Sequence, residues 1–225
     1  MTTTDAPPSA GPRTPLDVDR ILDAALALIR ADGADAFSMR RLATALHVTP
    51  MALYKWFDDR DALLDALGDR TFGTFRLPPD IDAPWLDRML LVANATRREL
   101  LAGRDLLPLV GGRRRTDLLM ARCADRVLSL LAEIGYDPDA AVAQFRSFHL
   151  SIVSFVFTLD AMPPLHPDTD EGARARELAA IVDTLGPDEV PTLASSWSRF
   201  GPVDLDALFA SSMRNLVVGI AIAAP

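Results

Sequence analysis

The sequence predicts an all-α protein, and three observations support that fold class. Apolar residues recur at helical spacing from Asp17 to the C-terminus, whereas strand patterns are scarce. Good N-cap residues stand immediately before several of these periodic segments. Proline-rich stretches separate the later segments from one another. The expected architecture is a small N-terminal helical head followed by a larger helical domain.

The first part of the chain is expected to form short, well-capped helices. The apolar residues of the first helix follow the i, i+3, i+4, i+7 rule and are Val18, Ile21, Leu22, Ala25, Leu28 and Ile29. This helix stops near Asp32 and Gly33. Ser38 is a good N-cap for the second helix, which buries Leu42 and Leu46 on one side.

A three-residue turn with the sequence HVT joins the second helix to a short third helix. Thr49 is expected to cap the third helix, and Pro50 takes its first position, where a missing N–H costs nothing. The helix ends around Phe57. Asp59 then caps a fourth helix that runs to about Phe75.

The stretch RLPPDIDAP breaks the helical pattern and marks the boundary between two domains. Residues 1–15 are predicted to be a disordered arm because they are rich in proline, threonine and alanine. Residues 16–76 form the head, and residues 84–225 form the larger domain. The long helices expected in that domain are Trp85–Ala102, Thr116–Ile134, Pro138–Asp160, Gly172–Leu185 and Asp204–Ile222.

Composition argues against several classes of protein. The apolar runs are shorter than the ~20 residues of a membrane-spanning helix, so no membrane partner is expected. The N-terminal residues lack the apolar core of a secretory signal. The single cysteine, Cys123, rules out an internal disulfide and fits a reducing cytoplasm. With three histidines besides, little is available for a structural metal site, and we expect neither metal nor cofactor.

The charge of the chain is unusual for a partner of nucleic acid. The net charge is −8, and residues 13–70 contain eight basic and ten acidic side chains. Any DNA contact therefore depends on local placement of positive charge. Because Asp58, Asp59 and Asp61 oppose phosphate, DNA affinity is expected to be strongly salt-sensitive.

The second helix, the turn and the third helix have the layout of a helix-turn-helix, whose second member enters the major groove. Leu53 and Phe57 lie one turn apart and are expected to face the core. Lys55, the only lysine, and Tyr54 can reach phosphates, and Arg40 can lean into the groove, whereas Arg41 is assigned to the surface. The predicted DNA-binding residues are Ser38, Arg40, Thr49, Pro50, Met51, Tyr54, Lys55 and Arg60.

The stretch ILDAALALIRADGADAFSMRRLATALHVTPMALYKWFDDRDALLDAL resembles the N-terminal DNA-binding domain of the TetR family of bacterial repressors. Leu53 and Tyr54, followed by the sequence ALLDAL at residues 62–67, are similar to the tetracycline-repressor branch. The resemblance implies a homodimer that binds a near-palindromic operator. It also implies a C-terminal domain that binds a small molecule and dimerises through its last long helices.

Two apolar stripes in the C-terminal domain support this pairing. They contain more apolar surface than a monomer hides comfortably, so dimerisation is predicted with or without the resemblance. The first stripe is Phe145, Phe148, Ile152, Phe155 and Leu159; the second is Leu205, Leu208, Phe209, Leu216 and Ile220.

The candidate effector-binding residues are large or soft side chains spread over several helices, and for each of them the alternative is ordinary packing. They are Trp85, Met89, Met120, Phe145, His149, Ile152, Met162 and Trp197. The tetracycline branch holds a magnesium–drug chelate with a histidine after the first long C-terminal helix. The matching segment here, LLPLVGGRRR, contains no histidine. We therefore expect an organic effector held mainly by apolar contact, without a metal. Arg113, Arg114 and Arg115 either meet an acidic ligand or form a solvated loop.

The predicted function is thus a ligand-responsive transcriptional repressor that a small organic molecule releases from its operator. Two other classes remain as alternatives. An all-helical enzyme would need a convergent nucleophile and base, but His47, His149 and His166 fall in separate segments. A ligand-binding or scaffold module without DNA activity is the second alternative, and the acidic head keeps it open.

Overall fold

The computed structural model describes residues 15–111, 114–161, 171–186, 188–196 and 204–225. Within these ranges the chain is helical and contains no strand, as the sequence predicts. The helices are α1 (Val18–Asp32), α2 (Met39–Ala45), α3 (Pro50–Leu53), α4 (Arg60–Phe72), α5 (Trp85–Ala102), α6 (Leu107–Val110), α7 (Arg114–Glu133), α8 (Pro138–Ala161), α9 (Glu171–Leu185), α10 (Pro191–Ser196) and α11 (Leu205–Ile222).

Helices α1 to α4 form the head around a small apolar core. Side-chain caps begin α1, α2 and α4: the backbone N–H groups of residues 20, 41 and 62 donate to Asp17, Ser38 and Asp59, respectively. The completely buried residues of this core include Ile21, Leu42, Leu53 and Leu63. Arg70 of α4 also pairs with Asp19 and Asp23 of α1. Local capping and one shared core therefore position the turn and α3.

Helix α3 is shorter than its sequence pattern predicts. The α-helix ends at Leu53, and hydrogen-bonded turns continue to Phe57, because the backbone N–H groups of Trp56 and Phe57 both donate to the carbonyl oxygen of Leu53. Thr49 occupies the N-cap position, but its side chain makes no capping hydrogen bond. Thr49 is therefore the N-cap residue, as predicted, but the expected capping hydrogen bond from its side chain is absent.

In the larger domain, α5 packs on α8 and α11, and α8 packs on α11. Polar contacts fix the ends of these helices. The indole N–H of Trp85 donates to the carbonyl oxygen of Leu130 at 2.6 Å, and the hydroxyl of buried Tyr136 donates to that of Ile220 at 2.8 Å. Arg88 forms ion pairs with Asp80 and Glu133. The hydrogen bond from Arg88 lowers the pKa of the Asp80 carboxyl group.

Two short helices, α6 and α10, were not expected from the sequence. Leu107 and Val110 of α6 are buried, and α6 packs on α4. By their contacts, residues 105–116 belong to the same compact unit as the head up to Gly73, whereas residues 74–104 and 117–225 form the second unit. The head is therefore completed by a segment that lies between α5 and α7 in the chain.

Four of the ten residues in the two apolar stripes proposed for dimerisation face the core of their own domain. Phe148 and Ile152 of α8 and Phe209 and Ile220 of α11 are almost completely buried in the single chain. The prediction that the stripes remain for a second copy is wrong for these four residues, because a periodic apolar stripe indicates burial but not which chain provides it. Of the ten residues, Leu208 is exposed. The side chain of Leu159 lies outside the described residues.

By length and composition, residues 138–157 of α8 and 205–222 of α11 would be sufficient to cross a membrane. This is weak support for a membrane span, since a core helix of a water-soluble protein passes the same test. Both helices pack on α5 and on each other. Their outward faces also carry polar residues such as Arg146, Ser147 and Asn215.

Candidate DNA-binding surface and effector domain

Helix α3 and its flanking turns separate buried from exposed residues along one short segment. Leu53 and Phe57 are buried in the head, as predicted. Thr49, Pro50, Met51, Tyr54 and Lys55 are all exposed, with 70% of the Met51 surface accessible. The Thr49 hydroxyl is not used for capping, so it remains available for a phosphate or a base. We call these five exposed residues the α3 surface.

Arg40 and Arg41 are neighbours on α2 with different surroundings. Arg41 donates to the carbonyl oxygen of Ala36 and pairs with Asp32, which agrees with its assignment as a surface residue. Arg40 is exposed and has no ion-pair partner among the described residues. Its guanidinium group is therefore available to a base edge or a phosphate, and its role as a DNA contact stays a prediction.

Ser38 and Arg60 already have structural roles in the head. The Ser38 hydroxyl accepts the backbone N–H of Arg41 at 3.3 Å and caps α2. The guanidinium carbon of Arg60 lies 5.8 Å from the centre of the Phe37 ring, a cation–π distance. Neither role prevents contact with a phosphate, and their predicted DNA contacts are untested.

Some of the predicted effector-binding residues serve packing in the larger domain, and two others form a stacked pair on α8. Trp85 and Met89 of α5 serve packing: the Trp85 indole is anchored on α7, and Met89 is fully buried. Ile152 of α8 is also buried, whereas Met120 of α7 is half-buried. The packing of α5 on α8 brings the helices of Met89 and Ile152 together. Predicted residues Met162 and Trp197 lie outside the described residues.

Phe145 and His149 form a direct pair on α8. Their rings are stacked with centroids 5.8 Å apart, one helical turn along the chain. Burial lowers the pKa of the half-buried His149 and so favours its neutral imidazole. A neutral ring offers one hydrogen-bond donor and one acceptor, which suits recognition of a polar group on an organic molecule.

Sequence reasoning missed Arg97, a charged residue on the packed side of α5. Its guanidinium carbon lies 4.6 Å from the ring centre of Phe209 and 5.4 Å from that of Phe155. Its Nη2 atom pairs with Asp206 at 2.7 Å, and its buried Nε atom meets no acceptor among the described residues. The signal in the sequence is that Arg97 follows Met89 and Ala93 at steps of four residues, on the face that α5 buries.

No group of three or more histidine, cysteine, aspartate or glutamate side chains within the described ranges could hold a metal ion. Cys123 is buried, and its sulfur lies 3.2 Å from the Thr96 hydroxyl oxygen. Burial raises the pKa of the Cys123 thiol. An inert thiol in a packed position is more consistent with a structural role than with nucleophilic chemistry.

Comparison with known proteins decides the family. Residues 21–67 match the family described as bacterial regulatory proteins, tetR family, and residues 77–223 match the tetracyclin repressor-like C-terminal domain. The chain belongs to the TetR family. As such it is a ligand-responsive, DNA-binding repressor, composed of a helix-turn-helix head and a helical ligand-binding domain.

Three relatives illustrate the range of the family around this chain. It is 32% identical to the tetracycline repressor protein class G of Vibrio anguillarum, with 92% of this chain and 94% of that protein covered. It is 34% identical to the transcriptional repressor DrrR1 of Streptomyces coeruleorubidus over 90 residues, which are 40% of this chain and 33% of DrrR1. The crystal structure of the Streptomyces coelicolor protein ActR in complex with actinorhodin shares the fold, with TM-score 0.69, 24% identity and coverage of 94% and 99%.

Proposed function

We propose that this TetR-family protein is a homodimer that binds a palindromic operator through the α3 surface and Arg40 and is released by a small organic effector. The observation that carries the proposal is the division of one short segment into core and surface. Leu53 and Phe57 hold the segment in the head, and the polar and basic groups around them remain exposed. In a helix-turn-helix, the residues at the start of the second helix contact base edges and phosphates.

Two seams of exposed residues suit the homodimer better than the buried stripes do. On α8 and α11, the exposed positions recur at steps of three and four residues, the spacing of helices that pair in bundles. The α8 seam is Ala143, Ser147, Leu150, Ser154 and Phe157, and the α11 seam is Leu208, Ser211, Asn215, Val218 and Ile222. Because α8 packs on α11, two copies of this pair of helices would form a four-helix interface.

Two of the three serines in these seams are compatible with a dry interface. The Ser147 hydroxyl donates to the carbonyl oxygen of Ala143, and the Ser211 hydroxyl donates to that of Leu208. Each hydroxyl is thus satisfied within its own helix, so burial does not strand an unpaired donor. Small side chains also permit close approach of the paired helices, and the interspersed Leu150 and Val218 supply apolar area.

The position of α6 suggests how an effector would act on the head. Residues 105–116 belong to the head unit, but they continue directly into α5 on one side and α7 on the other. An effector that repositions α5 or α7 would therefore displace α6. Because α6 packs on α4, it would also displace α4. Operator binding needs the two α3 helices roughly 34–36 Å apart. The effector weakens that binding by no more than its preference for another separation.

The proposal also includes a cytoplasmic location and the absence of catalysis. A regulator that binds chromosomal DNA works in the cytoplasm, and the free, buried thiol of Cys123 is compatible with a reducing compartment. His47 lies in the turn of the head and the half-buried His149 lies on α8 of the larger domain, so these two histidines belong to different units of the chain.

Selection of duplexes from a random pool tests the DNA-binding proposal. The wild-type protein is expected to enrich one near-palindromic sequence, and Arg40→Ala and Lys55→Ala are expected to weaken binding to it by about tenfold or more per dimer. Arg41→Ala is the matched control, because Arg41 is adjacent on the same helix but is already paired with Asp32. A wild-type protein that enriches no sequence would instead favour a ligand-binding scaffold without DNA activity.

A further inference from the structure

The Nε donor of Arg97 is buried and has no acceptor among the described residues, and it indicates a class of effector. We propose that Arg97 binds an oxyanion of the effector, so that the effector is an apolar, aromatic molecule carrying a carboxylate or another oxyanion that presents two oxygens side by side. This inference rests on the proposed function of the larger domain as an effector-binding domain. It refines the expectation of mainly apolar contact by adding one charged anchor on α5.

The argument begins with the edge of the guanidinium group formed by Nε and Nη2. These two nitrogens direct parallel N–H bonds that match the two oxygens of one carboxylate. In the structure, Nη2 meets Asp206 Oδ1 at 2.7 Å, whereas Nε is buried without an acceptor in the described part of the chain. The ion pair with Asp206 therefore leaves the Nε donor of this edge unsatisfied.

Asp206 is poorly placed to be the permanent partner of this edge. Its side chain is 85% exposed, whereas that of Arg97 is 13% exposed. An exposed carboxylate is well solvated and screened, so it gains little from a single ion pair and can turn into water at small cost. A buried donor without an acceptor is costly by contrast. An incoming anion that satisfies both Nε and Nη2 would thus replace Asp206 with a net gain in hydrogen bonding.

The surroundings of Arg97 explain why the anion should be attached to an apolar molecule. Phe155 and Phe209 lie around the guanidinium group, with their ring centroids 5.0 Å apart and an angle of 69° between the rings. The two ring centres are about as close to each other as to the guanidinium carbon, so both rings lie on one side of it, where they exclude water and hold the planar cation in position. A small, strongly hydrated anion gains nothing from these rings, whereas a flat apolar molecule can extend its contacts over the half-buried ring of Phe155.

The alternative is that the Arg97–Asp206 ion pair only stabilises the packing of α5 on α11, and this alternative predicts a different response to mutation. If the Arg97–Asp206 pair only holds the helices, Asp206→Asn and Arg97→Gln should both act on stability and leave ligand preference unchanged. If Asp206 competes with the effector anion, Asp206→Asn should raise the affinity for anions while Arg97→Gln lowers it. The proposal thus predicts that substitutions of the two partners of one ion pair change anion affinity in opposite directions.

The test uses two fluorescent probes with the same ring system. One is 8-anilinonaphthalene-1-sulfonate, which carries an oxyanion, and the other is N-phenyl-1-naphthylamine, which carries none. Both are titrated into the wild-type protein and into the Arg97→Gln, Arg97→Lys and Asp206→Asn variants, and thermal melts monitored by circular dichroism check folding. Arg97→Lys retains the charge but not the planar fork.

We expect Arg97→Gln to weaken binding of the sulfonate probe about tenfold or more, and Arg97→Lys to weaken it less. Asp206→Asn should strengthen it by a few-fold, about the value of an exposed ion pair. Affinity for the neutral probe should stay within about twofold, because the apolar contacts are unchanged. Equal changes for both probes, or no gain with Asp206→Asn, would overturn the proposal. If Arg97→Gln does not fold, the sign of the Asp206→Asn effect decides alone.

Operator binding separates this inference from the function on which it rests. Without probe, each folded variant is expected to bind the selected duplex as the wild type does, since the Arg97 site belongs to the second unit. Failure of the wild type to bind any duplex would remove the proposed function, whatever the probes show. Normal operator binding together with equal probe affinities would remove only the role of Arg97.

Discussion

The exposed seams make a quantitative prediction for Leu150, which lies on the outward face of α8 with 62% of its surface accessible in the single chain. An exposed leucine with this accessibility is a candidate for burial by a second copy of the chain. We expect the change Leu150→Ala to shift the monomer–dimer equilibrium strongly toward monomer. The fold of each protomer should be unaffected, because the side chain contributes little to the core of its own chain.

The magnitude follows from the area that pairing removes from water. Complete burial of a leucine side chain contributes about 1.5–3 kcal/mol, and truncation to alanine removes most of that contribution. With 62% of the surface available, the loss is about 1–2 kcal/mol per protomer. Twofold symmetry counts the change twice, so the dimer loses about 2–4 kcal/mol. Since 1.4 kcal/mol is a factor of ten, Kd should rise about 30-fold to 1,000-fold.

Sedimentation equilibrium over a wide range of protein concentration measures this Kd. Ile81→Ala is the matched control: Ile81 is an exposed branched aliphatic residue, 45% accessible, in the segment before α5 and outside both seams. We expect its Kd to stay within about twofold of the wild type, as is usual for a surface change away from special features. An unchanged Kd for Leu150→Ala would refute the placement of the dimer interface on α8. Equal effects of the two variants would also refute it.

Three further predictions concern the head and the buried thiol. Lys55→Ala should reduce the slope of log affinity against log salt by about two per dimer, because each protomer loses one phosphate contact; an unchanged slope would remove Lys55 from the DNA surface. The turn residue His47 has φ 56°, so His47→Val should lower the free energy of unfolding in urea by about 1–2 kcal/mol, whereas His47→Gly should stay within about 1 kcal/mol of wild type; equal values would contradict the strain. Since burial raises the pKa of Cys123, its contribution to stability is complete below the unfolded pKa and is lost as pH rises through the folded pKa. Cys123→Ala should therefore flatten the alkaline fall of the free energy of unfolding above about pH 8.5, and native Cys123 should react with a thiol reagent at pH 8 far more slowly than in urea.

The sequence was most informative about the head, where the causes of structure are local. Ser38 and Asp59 were recognised as caps because a side-chain oxygen three residues before a backbone N–H satisfies it in any helix. The buried positions of Leu53 and Phe57 followed from their one-turn spacing. The early end of α3 could not be read in the same way, because it depends on two N–H groups that share the carbonyl oxygen of Leu53.

The prediction of the dimer face is wrong for the buried residues of the stripes, because burial by the same chain and burial by a second copy produce the same apolar pattern. Phe148 belongs to the apolar repeat of α8 and Phe209 to that of α11, and both are buried by their own domain. The exposed seam on α11 mixes leucine and valine with serine and asparagine, so its apolar signal is weaker than that of the core stripe. Periodicity measures how apolar a face is, but it contains no information about which chain covers that face.

The effector domain illustrates a second limit. The candidates were chosen as large or soft side chains, and Met89 turned out to be fully buried packing. Arg97 was overlooked because an arginine in a helix is usually solvated, and its contacts with Phe155 and Phe209 join residues far apart in the chain. Similarly, α6 is four residues long and is held by packing on α4, which no local pattern reveals.

Hydroxyl-radical footprinting of the selected duplex tests the central claim most directly, because it reports the head, the operator and the pairing in one experiment. A dimer that presents two α3 surfaces is expected to protect two symmetry-related patches, with centres about 10–10.5 base pairs apart or at a multiple of that spacing. Both patches should disappear together with Lys55→Ala at moderate salt, because every dimer carries the change twice. A single asymmetric patch, or protection that is insensitive to Lys55→Ala, would contradict the account.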